Sequence, residues 1–249
     1  MSGGYGSNEI VSSVGQRSPV LRSFVSLLYP PMPTLNVIPK KSLRMIHKEV
    51  FRPGATVVNI GSGGLSGCGH RLWKDVISTE ANVYHLDIEQ TPTVAVLGDA
   101  HRLPFEDSSI DSLICQAVIE HVQNPQKVVD EARRVLKPGG MLYLEVPFLQ
   151  GFHADPYDYQ RYTLEGLRVL TNAFDERMSG VSVGPVCALI WLLRDGFSSC
   201  FSNSHLYLLS RFTLGWFLSP FRYLDLFTRN NRAATKLACE YYYLCQKPS

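Results

Sequence analysis

The chain of 249 residues has a length ordinary for one α/β domain carrying an elaboration. Its 45% hydrophobic and 18% charged residues exclude a disordered chain, and a formal net charge of +2 excludes the strong basic field of a general nucleic-acid binder. No uncharged apolar run reaches the ~20 residues that span a bilayer; the longest, Met178 to Leu193, is interrupted by Ser179, Gly180, Ser182, Gly184 and Pro185.

In chain order, residues 1–39 read as a tail followed by the proline-rich "YPPMPTLNVIP", and 40–249 as the folded domain. The opening "MSGGYGSNEIVSSVGQRS" has no basic segment leading into an apolar one, so no signal peptide is expected. "KKSLRMIHKEVF" puts Leu43, Ile46 and Val50 on one helical face. Strands and helices then alternate: "TVVNI", the helix "GHRLWKDVIST", "ANVYHLDI", "TVAVLGDA" and "SLICQAV". "NPQKVVDEARRVL" is a helix with Asn124 as N-cap and Pro125 at its first position, its apolar face formed by Val128, Val129, Ala132, Val135 and Leu136. "KPGG" ends it and leads into the strand "MLYLEVPF". "TLEGLRVLTNAF" is a helix, "GVSVG" a sixth strand and "ACEYYYLCQK" a last one. This alternation predicts an α/β, Rossmann-like, doubly wound sheet of seven strands, mostly parallel with the last antiparallel. A helical insertion of about 185–236 precedes that last strand.

The cysteines Cys68, Cys115, Cys187, Cys200, Cys239 and Cys245 form no CxxC pair and several lie in apolar segments. They read as reduced, small hydrophobes in a cytoplasmic protein.

"VVNIGSGGLSGCG", Val57 to Gly69, is a glycine-rich turn after an apolar strand, where a ligand can approach the backbone. A P-loop needs GxxxxGK[ST], but no lysine follows before Lys74. A dinucleotide fingerprint needs a third glycine where Ser66 stands. S-adenosylmethionine (SAM) is the third ligand, and two acids after successive strands favour it. Asp87 can accept ribose hydroxyls, and Asp99 can accept an adenine amino group while the Ala100 amide addresses the ring.

The stretches "VVNIGSGG", "LDI", "GDAHRLPFEDSSID" and "CQAVIEHVQNPQKVVDEARRVLKPGGMLYLEVP", covering about Val57 to Pro147, resemble the class I SAM-dependent methyltransferases, in particular the type 11 small-molecule group. The resemblance implies that Gly61, Ser62 and Gly63 line the methionine part of SAM. It also implies that Asp87 takes the ribose hydroxyls, Ile88 packs on adenine, Asp99 and Ala100 bind its edge, and Gln116 lies by the methionine end. Two positions depart from the commonest pattern: Asn59 replaces an acid, leaving an amide to orient water or the ammonium, and Leu65 replaces a glycine.

Methyl transfer from a sulfonium needs an aligned nucleophile and, where required, a base. "PFLQGFHADPYDYQRYT", after the fifth strand, concentrates the candidates. His153 reads as a general base oriented by Asp155 or Asp158, and Arg161 as a clamp for an anionic group. The alternative is structural, with the acids capping turns and Arg161 ordering the loop. His121 is a further base candidate. His153, Asp155 and Asp158 could also bind a metal, but His47, His70, His85, His101, His121 and His205 supply no ligand-spaced pair, and none is expected.

From Pro185 to Ala238 the insertion holds six cations (Arg194, Arg211, Arg222, Arg229, Arg232, Lys236) and two acids (Asp195, Asp225). It reads as a helical layer, as a lid over an apolar substrate, or as an amphipathic surface for an anionic membrane. The expected activity is methylation of a small or lipid-like acceptor, at oxygen if His153 is a base. The rivals are an RNA methyltransferase, for which a continuous basic stripe is lacking, and a SAM-binding or membrane-associated scaffold without catalysis.

Overall fold

A computed structural model describes residues 30–61, 80–154 and 157–249. The tail 1–29 and the expected helix 69–79 lie outside the described residues. The described elements are α1 (Lys40–Val50), β1 (Thr56–Ile60), β2 (Asn82–Asp87), β3 (Val96–Leu97), β4 (Ile110–Gln116), α2 (Pro125–Val135) and β5 (Leu136–Pro147). They continue with α3 (Leu164–Leu170), β6 (Asp175–Val183), α4 (Pro185–Ser198), α5 (Ser204–Leu218), α6 (Asp225–Thr228) and β7 (Glu240–Gln246). The strands form one seven-stranded sheet in the order β3-β2-β1-β4-β5-β7-β6. β1 runs parallel to β2 and β4, β4 is parallel to β5, and β7 is antiparallel to β5, as the alternation predicts.

Two compact units make up the chain, and the larger comprises Ile38–Phe148, Tyr159–Ser182 and Glu240–Ser249. Its strands alternate sides with period two. Val57, Ile114 and Tyr143 point to the face where α1 seats Ile46 and Val50. Ile60, Cys115, Leu142 and Leu144 meet Val128, Val129 and Ala132 of α2 on the other face. α2 starts where expected: the Asn124 side chain accepts from the Lys127 amide at 3.1 Å, and Pro125 occupies the first turn, where its missing N–H costs nothing. Cys115, Cys187, Cys239 and Cys245 are buried free thiols, consistent with use as small hydrophobes.

Four expected boundaries move. The third strand shrinks to Val96–Leu97, because the Val94 amide closes a turn on Thr91 and the Arg102 amide turns the chain back to Asp99. "KPGG" lies inside β5: the register jumps from Ile110↔Leu136 to Ser112↔Met141, and Gly139 takes up the surplus at φ 74°. The helix expected to reach Phe174 ends at Leu170, where the Thr171 hydroxyl donates to the Leu167 carbonyl and Phe174 closes a turn on Thr171. β6 begins at Asp175, five residues before the expected Gly180, with Glu176 held by the Arg168 guanidinium at 2.7 Å.

The second unit comprises Met1–Val37, Leu149–Asp158 and Val183–Cys239. The 185–236 segment within it is helical, as expected: α4 packs on α5, on a 3-10 helix at Ser219–Leu224 and on α6. Cys187, Ala188 and Trp191 of α4 form its small core with Val183 and Cys239. α4 starts at Gly184–Pro185 with no capping side chain of its own. Buried Asp225, 39 residues away, accepts from the Val186 and Cys187 amides at 2.9 and 2.8 Å, placing a carboxylate on the positive end of the helix. Gly184 leaves it room, since a β-carbon there would lie 2.3 Å from the Asp225 carboxyl carbon. Asp225→Ala is expected to destabilise the protein by about 2 kcal/mol, from the lost cap and stranded amides. Urea denaturation checks it, and Asp225→Asn is expected to recover part of the loss.

Candidate active site

The strand order reverses beside β1: the chain runs outward through β2 and β3, then returns to pair β4 on the other side. Such a switch point opens a crevice at the carboxyl ends of the strands. Gly61 follows β1 there at φ 69°, its amide donating to the Leu86 carbonyl at 2.9 Å. A β-carbon on Gly61 would meet Val118 Cγ2 at 2.2 Å, so glycine is required for both conformation and space. Directly after β4, Ala117 takes φ 51°, a left-handed conformation that a non-glycine residue rarely adopts, with its amide on the Glu145 carbonyl. Ser62 and Gly63 lie outside the described residues.

Asp87 closes β2 half-buried, and its Oδ1 accepts from the Glu89 amide at 3.1 Å. Ile88 beside it is 63% exposed, an apolar side chain presented at the crevice end of the strand. Asp99 follows β3 with a side chain 60% exposed, and Ala100 is buried. Burial opposes ionisation of Asp99, but hydrogen bonds from the His101 amide and ring outweigh it and hold the carboxyl below its usual range. The loop after Ala100 is pinned from α2. Arg134 donates to the Leu103 and Phe105 carbonyls, both at 2.9 Å, and Glu131 accepts from the Leu103 amide. Asn59 is buried, and its amide donates to His85 Nδ1 on the neighbouring strand at 3.3 Å.

Gln116 is buried at the end of β4, in register with Glu145 of β5. Tyr143 donates its hydroxyl to Glu145, and Gln116 hydrogen-bonds the same carboxyl. Burial pushes the Glu145 carboxyl up to about 7, and these two hydrogen bonds offset only part of that rise. The turn holding Glu120 and His121 is fastened by Gln160, which donates to the Ile119 and Val122 carbonyls, and by the Tyr159 amide on the Glu120 carbonyl. Arg161 Nη1 donates to the Gln160 carbonyl at 2.9 Å.

Gly61, Asp87, Ile88, Asp99, Ala100 and Gln116 are therefore brought to the strand ends of the larger unit. His153 belongs to the second unit, on Leu149–Asp158, with Asp158 beside it. Its amide donates to Asp158 Oδ2 at 2.9 Å, and its ring Nδ1 lies 3.0 Å from the Gly151 carbonyl. A carbonyl can only accept, so Nδ1 carries the proton in the neutral ring. Asp155 lies outside the described residues. Glu145, Tyr143, Arg134 and Gln160 were not singled out from the sequence. Glu145, an acid inside the apolar "LYLEVP", carried the signal that could have found it.

Residues 58–144 match the family model of the methyltransferase domain of type 11. Residues 58–144 are thus similar to a methyltransferase domain. The chain is 36% identical over 109 residues, 39% of its length, to an uncharacterised 37.1 kDa transposon protein of Streptomyces fradiae. It is 35% identical over 104 residues, 36% of the chain, to the ubiquinone/menaquinone biosynthesis C-methyltransferase UbiE of a Ruegeria species. These matches take in 31% and 42% of the two relatives, so the chain spans less than half of each. Further relatives are named as O- and S-methyltransferases. The (4+2)-cyclase SpnF is similar in fold, with TM-score 0.52 and 13% identity over 84% of this chain and 80% of that one.

The elevated Glu145 carboxyl predicts a pH dependence of stability. The folded state holds a proton that the unfolded chain releases near 4.5, so stability falls as pH rises from about 4.5 to about 7. The loss is on the order of 3 kcal/mol. Glu145→Gln, which retains an acceptor for Tyr143, is expected to flatten that fall, measured by urea denaturation across the same pH range.

Proposed function

We propose that the protein is a SAM-dependent methyltransferase acting on a small or lipid-like acceptor, with oxygen as the accepting atom. The observation that carries the reading is the glycine cradle at Gly61, where no β-carbon fits, at the same crevice as the carboxylates that close β2 and follow β3. The residues fit the cofactor chemically. Asp87 is placed to accept two ribose hydroxyls, exposed Ile88 offers an apolar face to adenine, and Asp99 with the Ala100 amide suits its polar edge. Gln116, held by Glu145, supplies a neutral polar group for the methionine end. Asn59, with one amide hydrogen on His85, is proposed to orient water or the SAM ammonium through the rest of its amide.

When bound, SAM supplies an electrophilic methyl on a positively charged sulfur. The protein's own task is to hold the acceptor in line, exclude water and remove the acceptor's proton. His153 is proposed as that base, supported by the tautomer its Gly151 contact selects and by Asp158, whose carboxylate lies 3.9 Å from Nδ1 and favours the imidazolium that forms. Arg161 is proposed to orient an acidic part of the acceptor. The relatives' names divide among carbon, oxygen and sulfur acceptors, so oxygen rests on His153.

Calorimetric titration is expected to show binding of SAM and of its demethylated product; binding of neither overturns the reading. Asp87→Ala is expected to weaken SAM about 10- to 100-fold, the worth of a charge-assisted contact. With methyl-labelled SAM and lipid or small-molecule extracts, His153→Ala is expected to abolish the labelled product while leaving SAM affinity unchanged. Retained product with His153→Ala removes oxygen activation by this residue.

A further inference from the structure

Helices α4 and α5 of the second unit are apolar on their outward sides as well as on the sides that they bury. In α5, Leu206, Leu209, Phe212, Trp216 and Phe217 are all exposed and occupy an arc of about 140° on a wheel of 100° per residue. The opposite side carries buried Gly215, which leaves a close approach for Pro30, and Arg211, which pairs inward with Asp195 at 3.0 Å. α4 too has an outward apolar stripe besides its buried Cys187, Ala188, Ile190 and Trp191. Leu189, Leu192, Leu193 and Phe197 are exposed at helical spacing, while Arg194 and Ser198 are buried. The next segments extend the pattern with exposed Phe221 and Phe227, the latter 84% exposed. Scattered single apolar residues are ordinary on a soluble surface; contiguous helical stripes mark a contact.

Charge identifies the kind of partner. Among the described residues of this unit, every acid is paired within the unit. Asp158 takes the His153 amide, Asp195 binds Arg194 and Arg211, and Asp225 caps α4. The exposed or half-exposed charges following Phe227 are Arg229, Arg232 and Lys236, all cations. A second copy docking through a two-fold axis would bring these cations toward their own counterparts, while the described acids of this unit are already paired within it. A sheet of lipid phosphates supplies the complementary sign as well as an apolar layer, and Trp216 and Tyr223 suit its interface.

We infer that the outward face of α4, α5 and α6 docks on the surface of an anionic bilayer, lying in it without crossing. α5, at 15 residues, extends about 22 Å, short of the roughly 30 Å hydrocarbon core. No described helix is long and apolar enough to cross a membrane. The inference goes beyond methyl transfer and uses none of the residues at the strand ends.

Flotation of the full chain with phosphatidylcholine vesicles, with and without phosphatidylserine, tests it. The protein is expected to float with the anionic vesicles and to remain at the bottom without them or at high salt. Trp216→Ser combined with Phe217→Ser, and separately Arg232→Glu combined with Lys236→Glu, are each expected to lower the bound fraction at least about tenfold. All four side chains are exposed, so the melting temperature should hold. Asp87→Ala is expected to float as wild type, separating this surface from the cofactor site. Wild-type protein that stays at the bottom with phosphatidylserine present overturns the inference, as does unchanged flotation of the Trp216/Phe217 variant. A dimer in light scattering that the same two serine substitutions dissolve assigns the face to a second copy and overturns it as well.

Discussion

Parallel pairing of β1 on both of its edges is the constraint on which the candidate site depends. Val57 to Ile60 stand in register with β2 on one side and β4 on the other, and a parallel strand can be reached only by a crossover that returns over a face of the sheet. α1, ahead of β1, and the crossover helix α2 bring apolar faces to the two sides of the sheet, which is why Val57, Val58 and Ile60 can all be buried. The crossovers also bring the chain into every strand from the same end. Gly61, Asp87 and Ala117, each directly following or closing a strand, therefore gather at one edge although 56 residues separate the first from the last.

Polar groups inside the protein are treated in contrasting ways. Asp225 is buried as an acceptor for two helix-start amides, and Asp195 accepts from two arginines, arrangements that satisfy a desolvated carboxylate. Among the described residues Glu145 has Tyr143 and Gln116 as partners, neither of them charged, and burial dominates its titration. An acid poised near neutrality beside the end of β4 makes the surroundings of Gln116 sensitive to protonation.

Much of the larger unit was legible because its signals are local. Alternating apolar residues reveal β1, β4 and β5, and Asn124–Pro125 announces α2 within two residues. Asp87 and Asp99 were legible as strand-end acids because each follows a run of apolar residues. Distant partners hid the rest. "DERM" opens β6 although it is highly polar, since Arg168 neutralises Glu176 from another element. The cap of α4 comes from Asp225, invisible in any window around Gly184. The outward apolar stripes of α4 and α5 have correct helical spacing, but periodicity cannot say which side faces the protein.

The position of β7 has a consequence for the newly made chain. β7 lies between β5 and β6, so β6 joins the sheet only through a strand synthesised 57 residues after β6 ends. Until Glu240–Gln246 leaves the ribosome, the β5 edge with Met141 to Pro147 has no lateral neighbour on that side, and β6 has no place in the sheet. An open, apolar strand edge is a template for pairing with other chains. The nascent protein thus carries an open strand edge throughout synthesis of α4 to α6, and closing the sheet is a late event rather than a progressive one.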